Sequence, residues 1–272
     1  MPRDDPAERW LSHSPMSDPG GHAPLLAGLP GDVASLCRII GNLLVHSDWL
    51  SAYGLDETAF GAISRETLPM AQRLSHILAA DGRALTAART PRLRSIATCR
   101  DYALMLCALL RHQGSPARVR CGFASYLEPG PGNGHWEDHW VCERWLPDGR
   151  RWAVADAQLD AIMSAALRID FDHTDLPATA FIPAGEGWRR CRAGVADPTD
   201  FGHGAVGGLW FAQVNVVRDH LALHHQERSD WDAWRDADAA QRVVKEDWLA
   251  LIDAMAADPG QDRANVPPPP WR

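Results

Sequence analysis

The chain has 272 residues, long enough for one large domain or a domain with additions, and able to bury a core without disulfide staples. Its 35 acidic and 27 basic side chains give a formal charge of -8, and the arginines form no basic block, which argues against nucleic acid as a partner. No run of about 18 apolar residues is free of charge and the first thirty residues lack a continuous apolar core, so the sequence predicts a soluble, cytoplasmic protein with no membrane partner.

In chain order, residues 1–30 are rich in Pro, Gly, Asp and Ser and read as a disordered arm. Residues 31–260 then form a single domain, and 261–272 a Pro-rich tail in extended polyproline form. "DVASLCRIIGNLLVHSDWL" (32–50) reads as a helix capped by Asp32, with Val33, Leu36, Cys37, Ile40, Leu43 and Leu44 on one stripe. A second helical region spans about 58–88, interrupted near Pro69. From Thr98 to Asp160 the pattern is helix, strand, strand, strand. The helix "CRDYALMLCALLRHQ" turns at "GSP" into "ARVRCGFASYL", where Val119, Cys121 and Phe123 alternate with Arg118, Arg120 and Gly122. A polar, Gly-rich loop "EPGPGNGHWED" follows, and "HWVCERWLPDGRRWAVADA" has the form of a hairpin folded about "LPDG". Beyond Asp160 a less regular stretch runs to about 204. After it, "GAVGGLWFAQVNVVRDHLALHHQE" and "AQRVVKEDWLALIDAMA" read as helices of the same core, and no internal repeat is present.

Six cysteines, at 37, 99, 107, 121, 142 and 191, should be free thiols in a reducing cytosol, and no CxxC pair suggests zinc. Cys107 within the helix and Cys121 within the strand read as small buried hydrophobes. Cys99 differs. Thr98 is a good N-cap residue and Asp101 stands at the third helical position, as in a capping box, so Cys99 is the first helical residue. The unsatisfied amides and the positive dipole end at that turn favour a thiolate.

A thiol nucleophile needs a base and a group that orients the base. With a four-residue loop Leu146–Gly149, Trp145 opposes Arg150, Val141 opposes Val154 and His139 opposes Asp156, close enough for a carboxylate to hold an imidazole. A two-residue loop, Asp148 and Gly149, shifts the pairing by two and keeps both side chains on one face. A three-residue loop separates them. Alone, His139 reads as a surface strand histidine and Asp156 as a strand-end turn residue. Together with a helix-capping cysteine they read as a triad.

These residues resemble the transglutaminase-like superfamily over about residues 90–160, through "TCRDYALMLCALLRHQGSPARVRCGF", "DHWVCERW" and "DGRRWAVADA". The resemblance implies an α+β fold: a transglutaminase-like (papain-like) core whose nucleophile helix packs on an antiparallel β-sheet, with additional N- and C-terminal helices. It maps the nucleophile onto Cys99, the His-Trp pair onto His139 and Trp140, and the aspartate onto Asp156, reached through Trp152. The implied chemistry is acyl transfer or hydrolysis at an amide, ester or thioester carbonyl through a Cys99 thioester, with His139 as general base and acid. The expected partners are a peptide, amide or acyl-thioester substrate and a water or amine acceptor; no cofactor or metal is expected. "HWEDHW" offers a second histidine, His135, assigned to the Gly-rich loop, where it either lines the cleft or, the stronger reading, is merely solvated.

Three rivals compete with this reading. An arylamine acetyltransferase uses the same residue order, but its Arg-Gly-Gly approach and Cys-Phe-Glu surround are missing. A metal site at His220, His224 and His225 lacks the glutamate that a metalloprotease helix requires, and a solvated or packed helix face is the stronger reading. A catalytically silent fold kept as a binding or scaffold module is the alternative from another class, set against it that all three triad residue types are intact.

Overall fold

Asp32 accepts a hydrogen bond from the Ser35 amide at 2.8 Å and opens helix α1 (Val33–Leu43). The helical stripe continues in sequence to Leu44, yet the chain turns extended there, because β1 (Leu44–His46) pairs in parallel with β2 (Ser95–Ala97). The expected helix 32–50 is thus cut short, and Ser47–Tyr53 follow as a 3-10 segment. Helical structure is interrupted near Pro69 as expected, residues 66–69 being non-helical, and helix α2 (Met70–Ala80) starts directly after that proline. A proline lacking an amide hydrogen fits the start of a helix, where that donor has no intrahelical partner. Residues 61–65 of the expected second helical region lie outside the described residues; the computed structural model describes residues 7–60, 66–127, 134–263 and 265–271.

The chain divides into two compact units. The first comprises the chain up to Val119 together with Val141–Leu176. At its centre lies α3 (Cys99–His112), in which every residue from Arg100 to Arg111 is buried. A helix buried on all sides is a core element, and Leu106, Cys107 and Ala108 have no exposed surface. It ends at Gly114, whose φ of +74° takes the left-handed turn that a Cβ would strain. The second half of β4 (Trp136–Leu146) pairs antiparallel with β5 (Arg151–Ala155) in this unit, and α4 (Ala161–Leu167) follows behind an Asp160 cap.

The N-terminal segment is not a disordered arm over its described residues. Glu8–Leu11 and Gly20–Leu26 form 3-10 segments, Trp10 and Leu26 are 1% exposed, and Arg111 of α3 donates to Ser17 Oγ at 2.9 Å. Two large apolar anchors and one buried hydrogen bond offset the ordering entropy that Pro and Gly content alone would leave unmet.

The second unit comprises Arg120–Trp140 and the chain from Pro177 onward. Its strands run in the order β6 (Phe181–Pro183), β3 (Ala117–Ala124), β4, β7 (Phe201–His203) and β8 (Val206–Gly207). The sheet is not purely antiparallel, because Trp136 and Glu137 of β4 pair in parallel with Phe201 and Gly202 of β7. Gly122 permits the β3–β6 approach: a Cβ there would stand 2.2 Å from the Ile182 carbonyl oxygen. Three helices complete the unit, α5 (Ala184–Arg192), α6 (Leu209–Ala222) and α7 (Leu249–Ala257), around a core of Phe123, Trp188, Phe201, Phe211, Trp231 and Trp234. The expected alternation on β3 fails at Arg120, which is buried and grips Asp219 of α6 at 2.9 and 2.8 Å. The Pro-rich tail packs on the same unit, where the Pro267 carbonyl accepts from Trp231 Nε1 at 3.0 Å and the Trp271 ring lies edge-on to Trp231.

Candidate active site

Cys99 is the first residue of α3, after an extended Thr98 at the N-cap. The Asp101 carboxylate accepts from the Thr98 amide at 2.8 Å and from its hydroxyl at 3.2 Å, so the capping-box reading holds with Asp in the usual Glu or Gln place. Cys99 is part-exposed, whereas Cys37, Cys107, Cys121 and Cys142 are buried. Burial, aided by the Asp156 charge, pushes the Cys37 thiol up to about 12. Burial and the Cys107 thiol push Cys142 well above its ordinary value. Cys191 is part-exposed as well, but burial and the charges of Asp197 and Asp200 push its thiol up to about 11.

His139 lies on β4 in the second unit, with no exposed surface and its ring edge-on to Tyr126 at 6.0 Å. It is a core residue, not a surface strand histidine. Its strand neighbours Asp138 and Trp140 face the other side, by the two-residue period of a strand. There Asp138 accepts from Asn215 Nδ2 at 2.8 Å and from Arg218 Nη1 at 3.1 Å, and the Arg218 guanidinium lies 5.0 Å from the Trp140 ring centre. Burial works against ionisation of Asp138, but the Arg218 and His203 charges and the hydrogen bonds from Arg218 and Asn215 together outweigh it and hold the carboxyl below its ordinary value.

Asp156 follows β5 in the first unit and is 1% exposed. Its carboxylate accepts from the Gln158 amide at 2.9 Å, its own amide donates to the His173 carbonyl at 2.8 Å, and its carbonyl faces His173 Nδ1 at 3.0 Å. The β4–β5 register pairs Leu146 with Arg151 and Cys142 with Ala155. Continued by one step, it sets Val141 opposite Asp156. The direct opposition of His139 and Asp156 from a Leu146–Gly149 loop is therefore corrected: the ladder is displaced by two residues, the register of the shorter loop. The turn begins at Pro147, whose carbonyl accepts from the Arg150 amide, so Leu146 stays in the strand.

His135 is neither free in a loop nor merely solvated. Its Nε2 lies 3.1 Å from Glu137 Oε2, and Glu137 Oε1 lies 2.7 Å from His203 Nδ1. Burial alone would lower the His203 value, but the Glu137 hydrogen bond and the Asp138 and Glu137 charges raise it. His220 and His224 each place Nδ1 on a backbone carbonyl, of Pro259 at 3.0 Å and of His220 at 2.7 Å. Among the described residues, no group of three His, Cys, Asp or Glu side chains could hold a metal ion, and no helix is long and apolar enough to cross a membrane.

Arg73, His173 and Tyr126 were not legible as neighbours of these positions. They stand 26 residues before Cys99, 17 after Asp156 and 13 before His139, with no motif linking them. Only the paired backbone of Asp156 and His173, the Arg73 contacts to Ser95 and Asp101, and the ring contact of Tyr126 with His139 reveal them.

A cysteine-headed core helix followed by antiparallel strands defines a mixed α+β fold of the kind used for Cys-dependent catalysis. Residues 75–157 match the family model of the transglutaminase-like superfamily, and the matched span contains Cys99, His139 and Asp156. No curated protein matches the chain. A crystal structure of a candidate cysteine protease from Cytophaga hutchinsonii is similar at 18% identity and a TM-score of 0.37, covering 58% of this chain and 43% of that one. This chain therefore spans less than half the length of that protein.

Proposed function

We propose that the protein is a thiol acyltransferase or amidase in which Cys99 attacks an amide, ester or thioester carbonyl. The observation that carries this reading is the setting of Cys99: the first residue of the core helix, part-exposed within a transglutaminase-like core, while four of the other five thiols are buried. His139 accepts the thiol proton and returns it to the leaving group, and Asp156 holds the imidazole in the productive tautomer and supports its charge. The carbonyl carbon gains a bond to the Cys99 sulfur, and its oxygen takes the negative charge before helix-start amides, the Cys99 amide among them. Collapse expels the amine, alcohol or thiol and leaves a thioester. Water then gives a hydrolase and an amine gives a new amide.

The test is intact-mass detection of an acyl adduct on Cys99 after incubation with peptide amides and with carrier thioesters, followed by an offer of water or of amines. An adduct that is absent in Cys99→Ala and forms much more slowly in His139→Ala is the expected result. A folded wild type that forms no adduct with any of these donors, and acts identically to Cys99→Ala, would make the fold a silent binding module.

A further inference from the structure

A buried ion pair stands behind the turn that presents Cys99. Arg73 of α2 donates from Nη1 to Ser95 Oγ at 2.8 Å and to the Ile96 carbonyl, and from Nη2 to Asp101 Oδ1 at 2.7 Å. Asp101 Oδ2 accepts from the Thr98 amide and hydroxyl, and Oδ1 also accepts from the Leu68 amide at 3.3 Å. The two side chains are 5% and 2% exposed. One guanidinium and one carboxylate thus hold Ser95, Ile96 and Thr98 before Cys99 and the third helical residue after it.

A capping box alone needs no arginine, and a buried guanidinium is costly unless its charge is answered. The arginine has a second consequence. Asp101 stands two residues from Cys99, and its bare negative charge would oppose a thiolate on the same helical turn. Arg73 cancels that charge while leaving the carboxylate free to cap. We propose that Arg73 and Asp101 are positioning residues for the Cys99 nucleophile, fixing its turn and balancing the charge on that turn. The proposal rests on Cys99 being the nucleophile.

The two partners carry opposite signs, so their removal acts in opposite directions. Arg73→Met leaves an uncompensated carboxylate, which disfavours the thiolate. Asp101→Asn leaves an uncompensated guanidinium, which favours it even as the cap weakens. The experiment is the pH profile of Cys99 alkylation by iodoacetamide in the full-length protein, read by mass spectrometry of the Cys99 peptide. The expected midpoint rises in Arg73→Met and falls in Asp101→Asn, each by about half to one pH unit, while Arg73→Lys stays near wild type. A merely structural clamp lowers thermal stability in both variants and leaves the midpoints together; that result overturns the proposal. If Arg73→Met does not fold, a failure of Asp101→Asn to fall below Arg73→Lys overturns it. His139→Asn in the same assay separates the two readings: an unchanged profile there sinks the His139 pairing, while opposite shifts at Arg73 and Asp101 still support the clamp.

Discussion

The six thiols should react with a small alkylating agent in an order set by their surroundings, with Cys99 first. At about pH 7.5 the thiolate fraction falls tenfold for each unit by which a thiol's value rises. Cys191, pushed up to about 11 from an ordinary 9.0, is therefore about 100-fold less ionised than an unperturbed thiol, and Cys37, at about 12, about 1000-fold. The more basic thiolate is also the better nucleophile, which returns a factor of about ten for Cys191 and about thirty for Cys37. The net deficits are about tenfold for Cys191 and about thirtyfold for Cys37, before burial slows the reagent further at Cys37. Cys107, Cys121 and Cys142 have no exposed surface and should label only through opening of the fold. The assay is limiting iodoacetamide at near-neutral pH, quenched over a time course, with each cysteine peptide quantified by mass spectrometry and a urea-unfolded control that labels all six. Cys191 or Cys37 reacting as fast as Cys99 in the folded protein would refute the reasoning, because neither the local charge nor the burial would then control the thiol.

Trp10→Ala should cost about 3–5 kcal/mol in urea unfolding, the loss expected for a fully buried tryptophan, whereas a disordered arm would leave stability within about 0.5 kcal/mol of wild type. His203 gains its partner Glu137 only in the fold, and its value is raised, so its contribution is present below the unfolded value of 6.5 and lost as pH rises through the folded one. Urea midpoints measured across that range should fall with rising pH in wild type, and Glu137→Gln should flatten this part of the profile; a parallel profile in the variant would show that Glu137 is not the cause.

The position of Cys99 was legible because its determinants are local. Thr98, Asp101 and the apolar run after them fix where α3 begins, and no distant residue is needed to place Cys99 at its head. The N-terminal segment failed for the opposite reason. Composition averages over a window, while two side chains, Trp10 and Leu26, decide whether the window packs. The end of α1 failed because β1 finds a parallel partner 51 residues away, a pairing that overrides the helical stripe through Leu44. The interruption near Pro69 was legible because the missing amide both breaks a helix interior and suits the start of the next helix.

The hairpin shows how far parity can carry a sequence argument and where it stops. Alternation along β4 puts Asp138 and Trp140 on one face and His139 on the other, whatever the turn. Register is a separate quantity, and Pro147 sets it by beginning the turn one residue later than the four-residue loop required. The alternation also does not say which face is committed to structure. That is decided by α6, whose Asn215 and Arg218 bind Asp138 and whose guanidinium covers Trp140. That face is taken by α6, while His139 on the other face is buried with its ring edge-on to Tyr126. What occupies one side of β4 is thus decided by a helix some 75 residues downstream, outside the stretch that matches the superfamily.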